Sequence, residues 1–495
     1  MKFIPSILKA GIVVGLSITL FACGSTEGEQ VVVEGSTPAP VDAPPPVDPA
    51  PPEAPAPAPT PPPEETAPPP PEEPVPPPPE EPAPPPPEEP APPPASPEGQ
   101  VLFEDDIAKN IRQSIPTDVN IPLGIQATLD VEYLGAFRAL ADGESTSNYA
   151  VGALGFNPDN NSIYLAGHAH HNAIAEFAIP DEISLSENPS EVIIADVLQN
   201  YVTVLNKREE GNQTNRINGI LYYNENLIVT SEIWYDAPGT NEDNLQTFTI
   251  ANDLRSSSYT GMLQLQGSAF AAGYMSTVPD ELVELIGGKY ISGWASNYAI
   301  ASRYSQGPSM YVIDPQEIIN ATPTVTREIE SSTLMSFPLS EGKSLVPGGE
   351  QYKEDISPIW GPVAQAQYGF IVPGTSLFMA IGSHAGIHSG VGYKITQDDG
   401  NVCGGGCTYE ASDNYNFFWL FDINDITSAA NPWEVQPISY GKWSHPYDNS
   451  GANKLIGATY DDVNKRLYIS IENAATVGLY DRPPMILAYK VQSKN

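Results

Sequence analysis

Between residues 131 and 491 apolar and polar positions alternate with the two-residue period of half-buried strands, in short runs broken by Asn-, Asp-, Gly- and Pro-rich turns. The runs recur as one unit, a hairpin of two strands followed by a third strand that ends at a polar corner. The first copy uses residues 150–156, 163–167 and 173–180, and the second 217–222, 227–231 and 245–250. The third copy is read at 289–294, 298–302 and 308–314. The fourth uses 363–372, 377–383 and 417–422, and the fifth 455–460, 467–471 and 485–491. Candidate fourth strands follow at 192–198, 259–266, 325–333 and 433–439. The fifth copy has none, because the chain ends there, and the unpaired run 131–137 can take that place. A short helix is expected at 279–286 in a loop.

Repeats of this kind that borrow a strand from the far end of the chain predict a radial sheet array without open ends. The fold class expected is all-β, a five-bladed β-propeller closed by an N-terminal strand. A degenerate unit hidden in one long loop would make six. The hairpins Gly152-Ala-Leu-Gly-Phe-Asn-Pro-Asp-Asn-Asn-Ser-Ile-Tyr-Leu165 and Ile456-Gly-Ala-Thr-Tyr-Asp-Asp-Val-Asn-Lys-Arg-Leu-Tyr-Ile469 resemble the blade hairpins of YVTN- and NHL-type propellers. That resemblance implies a fold and no activity, since propellers host many functions.

The first hundred residues read differently. Two lysines, an apolar run from Ala10 to Phe21 and a small residue before Cys23 make a secretory signal, too short to span a membrane as a helix. Leu20-Phe21-Ala22-Cys23 resembles the lipobox of bacterial lipoproteins. The resemblance implies cleavage after residue 22, acylation of Cys23 (palmitate among the chains) and, with Gly24 next, sorting to the outer membrane. The head would then be periplasmic or extracellular. Residues 23–100 repeat Glu-Glu pairs at Glu64, Glu72, Glu80 and Glu88 within proline runs. Sixty such residues in the extended left-handed proline helix would span about 190 Å. This is a spacer, leaving 101–495 as the propeller domain.

Charge narrows the partners. The chain carries −39, of which 15 acidic residues and no lysine or arginine lie between 24 and 100. With Lys2 and Lys9 also set aside, the head keeps 46 acidic against 20 basic residues, about −26. Such a field repels nucleic acid and anionic lipid. Cys403 and Cys407, spaced by three glycines, suit a small disulfide in an oxidising compartment.

The chemistry is sought at the ends of the second strands. The residue that follows each is ionisable: His168, Glu232, Arg303, His384 and Glu472. Equivalent corners of propeller blades share one face around the axis, so these side chains are expected to converge. The remaining histidines, His170, His171, His388 and His445, fall in loops on the same face. Two readings follow. His168, His384, Glu232 and Glu472 have the donor types of a divalent-metal site. Alternatively His168 and His384 would exchange protons beside Arg303 and Tyr304, residue types that resemble propeller-fold polysaccharide lyases. Five-bladed glycosidases need carboxylates on the inner strands, and the first strands here carry none in their cores. Trp234, Tyr235, Trp360, Trp443 and Tyr447 are candidate sugar platforms or packing residues. The function expected is recognition of a glycan, metal ion or envelope protein, against a polysaccharide-acting enzyme or a purely structural head.

Overall fold

The structure, a computed structural model, describes residues 128–205, 214–235, 245–248, 251–256, 259–295, 304–322, 328–449, 451–478 and 481–494, with short strands at 100–102 and 112–114. The signal segment, Cys23 and the proline-rich stretch lie outside the described residues, as do Arg303 and the expected strand 298–302.

Among the described residues, five four-stranded antiparallel units make the propeller. Blade one comprises Leu154–Asn157, Ser162–Ala166, Ala173–Ala178 and Val197–Thr203. Blade two comprises Arg216–Tyr223, Asn226–Glu232, Leu245–Phe248 and Tyr259–Leu265. Blade three has Tyr274–Thr277, Tyr290–Gly293, Met310–Ile313 and Ser332–Met335. Blade four has Gln365–Ile371, Leu377–Ala385, Asn414–Asp422 and Ser439–Lys442. Blade five takes Leu455–Asp461, Arg466–Ile471 and Met485–Lys494 from the end of the chain, and its fourth strand is Thr128–Arg138, paired antiparallel to Met485–Lys494. That borrowed strand is the closure expected from the sequence.

Local chemistry sets the corners. Between the first two strands of blade two, Asn224 and Glu225 both take positive φ in a two-residue turn, the conformation that matches strand twist. In blade one the Asn157 side chain accepts the Asp159 N–H and Asn161 turns left-handed. The aspartates that end third strands, Asp314 and Asp422, cap short helices by accepting the Gln316 and Asn424 N–H groups.

Neighbouring blades touch through their inner strands, and the contacts run full circle. A Cβ on Gly155 would strike Ile220 of blade two at 2.6 Å. Thr230 Oγ1 donates to Gly273 O at 2.7 Å, and Ser276 Oγ to Gly369 O at 2.8 Å. The Tyr460 N–H reaches the Tyr368 hydroxyl, and Ser470 Oγ donates to Gly152 O at 2.6 Å, joining blade five to blade one. Glycine is required where these backbones meet: a Cβ on Gly219 would lie 1.9 Å from Gly273 O.

Blade three departs from the expected register. Its innermost strand is Tyr274–Thr277, which the repeat pattern missed because it is four residues long and follows a single-turn helix rather than a hairpin. The segment taken as its first strand is its second, and 308–314 remains its third. The expected helix appears at Val283–Ile286.

Candidate functional site

The shifted register changes one corner. Aligned on the true second strands, the sequence endings are Leu-Ala-Gly-His168, Val-Thr-Ser-Glu232, Ile-Ser-Gly-Trp294, Ile-Gly-Ser-His384 and Ile-Ser-Ile-Glu472. Trp294, not Arg303, occupies the third position.

The polar centre of the mouth is built by blade two. Arg216 opens its inner strand and Glu232 ends its second, and the two are directly opposed, which places both side chains on one face. The pairing slips between Ile217 and Gly219, and this bulge inserts Asn218 beside them. Glu232 and Asn218 are buried, at 0% and 6% exposure. Tyr304 (fully buried) and Trp294 close the side toward blade three. The Asn218 amide, the Tyr304 hydroxyl and the Trp294 indole N–H all lie where they favour the charged carboxylate. None completes a bond to it: both Glu232 oxygens, both polar atoms of Asn218 and Trp294 Nε1 are without hydrogen-bond partners. The Tyr304 hydroxyl instead donates to Ile233 O at 3.3 Å. Burial pushes the Glu232 carboxyl up to about 7, against the pull of the Arg216 guanidinium. Burial likewise lowers Arg216, opposed by Glu232.

Arg216 divides two adjoining cavities. One, of about 470 Å³, is bounded by Arg216, Trp234, Asn215, His170, Asn172 and Ala169. Here the guanidinium stacks 4.0 Å from the centre of the Trp234 ring. The other, of about 340 Å³, lies between Arg216 and Glu472, with Tyr149, Ile456, Asn473 and Arg482 on its walls. Burial raises the Glu472 carboxyl, and Lys454 and Arg216 oppose that shift.

The histidines separate into two sets. His168 is half-buried and stacks on His171 at 4.6 Å, with His170 at 5.3 Å and Tyr149 edge-on. Burial and the two neighbouring imidazoles lower its pKa. His171 meets Ser145 Oγ at 3.2 Å, and His170 borders the larger cavity. His384 does not join them. It is fully buried within blade four, Nε2 at 2.9 Å from Ser357 O and its ring edge-on to Phe417, with burial pushing it down to about 4. His445 is buried against Asn416, its Nδ1 accepting the Tyr447 N–H, and is likewise held near 4 by desolvation. His388 is exposed, edge-on to Tyr415. The expected five-membered convergence is therefore incomplete, because His384 points into its own blade. Among the described residues no three His, Cys, Asp or Glu side chains gather closely enough to hold a metal ion, so His168, His384, Glu232 and Glu472 do not form the expected metal centre.

The aromatic candidates sort by exposure. Trp360, Trp443 and Tyr447 are buried packing residues, whereas Trp234 and Tyr235 are 40% and 64% exposed. Cys403 and Cys407 form the expected disulfide, in a loop of blade four. Sequence reasoning missed Arg216, Asn218 and Trp294. A lone arginine and a lone amide at the mouth of the apolar strand Arg216-Ile-Asn-Gly-Ile220 were the available signal, as was the ending Ile-Ser-Gly-Trp294, which matches Ile-Gly-Ser-His384.

No protein-family model matches the chain, and no curated protein matches it in sequence. Solved structures match it only distantly. An α-L-arabinanase variant from Cellvibrio cellulosa is 9% identical with a TM-score of 0.34, covering 68% of this chain and 91% of its own. An aldose sugar dehydrogenase from Streptomyces coelicolor is 10% identical with a TM-score of 0.28, covering 74% of this chain and 99% of its own. Likenesses this remote carry nothing about activity; the propeller rests on the chain's own strand order and closure.

Proposed function

We propose that the protein is a cell-envelope lipoprotein, anchored through Cys23, whose propeller head binds a neutral hydroxyl-rich ligand of the carbohydrate class at the mouth around Arg216 and Glu232. One observation supports this above the rest: a fully buried carboxylate with no hydrogen bond, facing an unpartnered amide and an unpartnered indole N–H. Buried polar groups are almost always paired, and leaving one unpaired costs about 1–3 kcal/mol, more for a charge. A ligand hydroxyl donates to a carboxylate and accepts from an amide at once, so vicinal hydroxyls answer that set of groups. The exposed Trp234 face beside Arg216 offers the apolar surface on which a sugar ring stacks.

The lyase-type alternative finds less support, since His384 is enclosed apart from Tyr304 and Glu232. Binding of the purified head to an array of neutral and uronate oligosaccharides tests the proposal. Saturable binding to neutral members, lost in Glu232→Gln and Asn218→Leu, is the expected result. Retention by both variants, or capture of uronates with release of unsaturated products, would overturn it.

A further inference from the structure

The exposed aromatic rings of the head share one face. Among the described residues they are Tyr149, Trp234, Tyr235, Tyr352, Tyr393 and Tyr409. First strands start and second strands end on the side that carries the mouth, as Arg216 and Glu232 do in blade two. Trp234 and Tyr235 follow the second strand of blade two, and Tyr393 and Tyr409 follow that of blade four. Tyr149 and Tyr352 precede the first strands of blades one and four. All six therefore lie on the mouth side. The three at blade four belong to a feature outside the mouth.

Residues 386–413 leave the second strand of blade four and fold back as a hairpin, in which Val391–Tyr393 pairs antiparallel with Gly406–Thr408. The Cys403–Cys407 disulfide and the Gln397 amide, which donates to Thr408 O at 3.0 Å, pin its loop. Tyr393 stands directly opposite Gly406, and the Tyr352 ring rests on that glycine, where a Cβ would come within 2.6 Å of it. The two rings thus share one side of the hairpin, their centres 5.5 Å apart and their planes tilted by 47°. Lys394 Nζ stands 5.3 Å from the centre of the Tyr393 ring. Tyr409 turns to the other side, its hydroxyl toward Gly392. The segment that bears Tyr352 begins beside the mouth. Leu345 N–H donates to Gln306 O at 2.8 Å, two residues from Tyr304, and Lys353 O accepts the Val391 N–H at 2.9 Å. The chain from Leu345 to Tyr352 can reach at most about 25 Å, so a ligand of several units seated at the mouth can extend to the hairpin.

We infer that the Tyr352–Tyr393 pair is a second subsite for the glycan, so that the ligand is a chain and not a single sugar; the inference rests on the mouth reading for the chemistry of that ligand. A sugar ring has apolar C–H faces and a hydroxyl rim. Its face lies on a tyrosine ring, whose own face carries negative charge, and its rim meets phenol hydroxyls and the Lys394 amine. A protein partner fits less well. Exposed Lys353, Glu354 and Lys394 flank the pair, and two tyrosine rings offer on the order of a few hundred Å² against about 800 Å² per side in a stable protein interface.

The test uses the whole head and three neutral polysaccharides (xylan, galactomannan and mixed-linkage glucan) in affinity gel electrophoresis. Calorimetry follows with the trisaccharide and octasaccharide of each polymer that retards it. The expected result is retardation by at least one polymer, whose octasaccharide binds at least about tenfold more tightly than its trisaccharide. Tyr352→Ala/Tyr393→Ala should remove that gain and leave trisaccharide binding at the mouth unchanged, with a circular dichroism melt confirming the fold. Tyr393→Phe keeps the ring and should keep the gain. No retardation by any of the polymers, equal affinity for both lengths, or a gain that survives the double variant would overturn the inference. Glu232→Gln separates the two readings. Retardation that persists in this variant and is lost only in the double tyrosine variant would overturn the mouth reading and uphold the hairpin as a sugar site.

Discussion

Two buried glutamates, one blade apart, are treated in opposite ways. Glu176 in blade one is 1% exposed and fully engaged: Asn157 and Asn160 amides and the Ser162 hydroxyl reach Oε1, and the Gln199 amide reaches Oε2. Glu232 in blade two is equally buried, and the Asn218, Tyr304 and Trp294 donors gathered around it close no well-formed hydrogen bond to either of its oxygens. The first ties three strands and the adjoining turn together, and its acceptor capacity is spent within the protein. The second keeps its capacity unspent, opposite an arginine that lines two cavities. The difference separates a carboxylate that holds the fold from one that the fold holds ready.

The largest expected effect comes from breaking the satisfied member. Glu176→Ala takes the shared acceptor from the buried Asn157 amide and Ser162 hydroxyl and from the half-buried Gln199 amide, and should cost about 3–5 kcal/mol in urea unfolding. Glycan binding at the mouth should stay intact wherever the head remains folded.

Glu232→Gln should act the other way. With the folded pKa near 7 and the unfolded value near 4.5, the folded state binds the proton more tightly, so this group's contribution is complete below 4.5 and declines as pH rises through 7. At pH 8 the neutral variant should therefore be more stable than the natural chain, by at most about 3 kcal/mol. His384 and His445 tilt the profile oppositely: their folded values near 4 lie below 6.5, so stability is lost as pH falls through that window. Removing Glu232 should accordingly steepen the acid-side loss between pH 6.5 and 4.5. Identical pH–stability curves for the two proteins would erase the contrast between the glutamates.

Away from both carboxylates, Cys403→Ser opens only a five-residue loop. The chain-entropy estimate limits its cost to about 2 kcal/mol, with the mouth unaffected. The smallest effect should come from Trp234→Ala, which leaves stability unchanged because the ring is 40% exposed, and weakens glycan binding about tenfold, ~1.4 kcal/mol.

Much of this architecture was legible before any coordinates, because strand alternation and repeat spacing survive at the level of residue type. The hairpins at 150–167, 217–232 and 455–471 and the borrowed strand 131–137 all appear close to their expected bounds. Blade three was misread for a physical reason. Tyr274–Thr277 is too short to show a period, and a long excursion separates its second strand from its third, so the apparent hairpin began one strand late. That slip alone put Arg303 where Trp294 belongs. The ring of charges failed at His384 for another reason: sequence places a residue at a corner but does not say to which side of the blade it turns. Arg216 and Asn218 stayed hidden because a bulge, which the alternation pattern does not record, is what brings Asn218 beside Glu232.

The central claim is that the Glu232 carboxyl has unmet hydrogen-bonding capacity at the mouth. An infrared difference titration, natural chain minus Glu232→Gln, follows its carboxyl band directly. The account predicts a midpoint near 7 in the unliganded head, moving downward when a bound glycan donates hydroxyls to the charged form. A midpoint near 4.5, unmoved by glycan, would mean that the carboxylate is already satisfied and that the mouth awaits nothing.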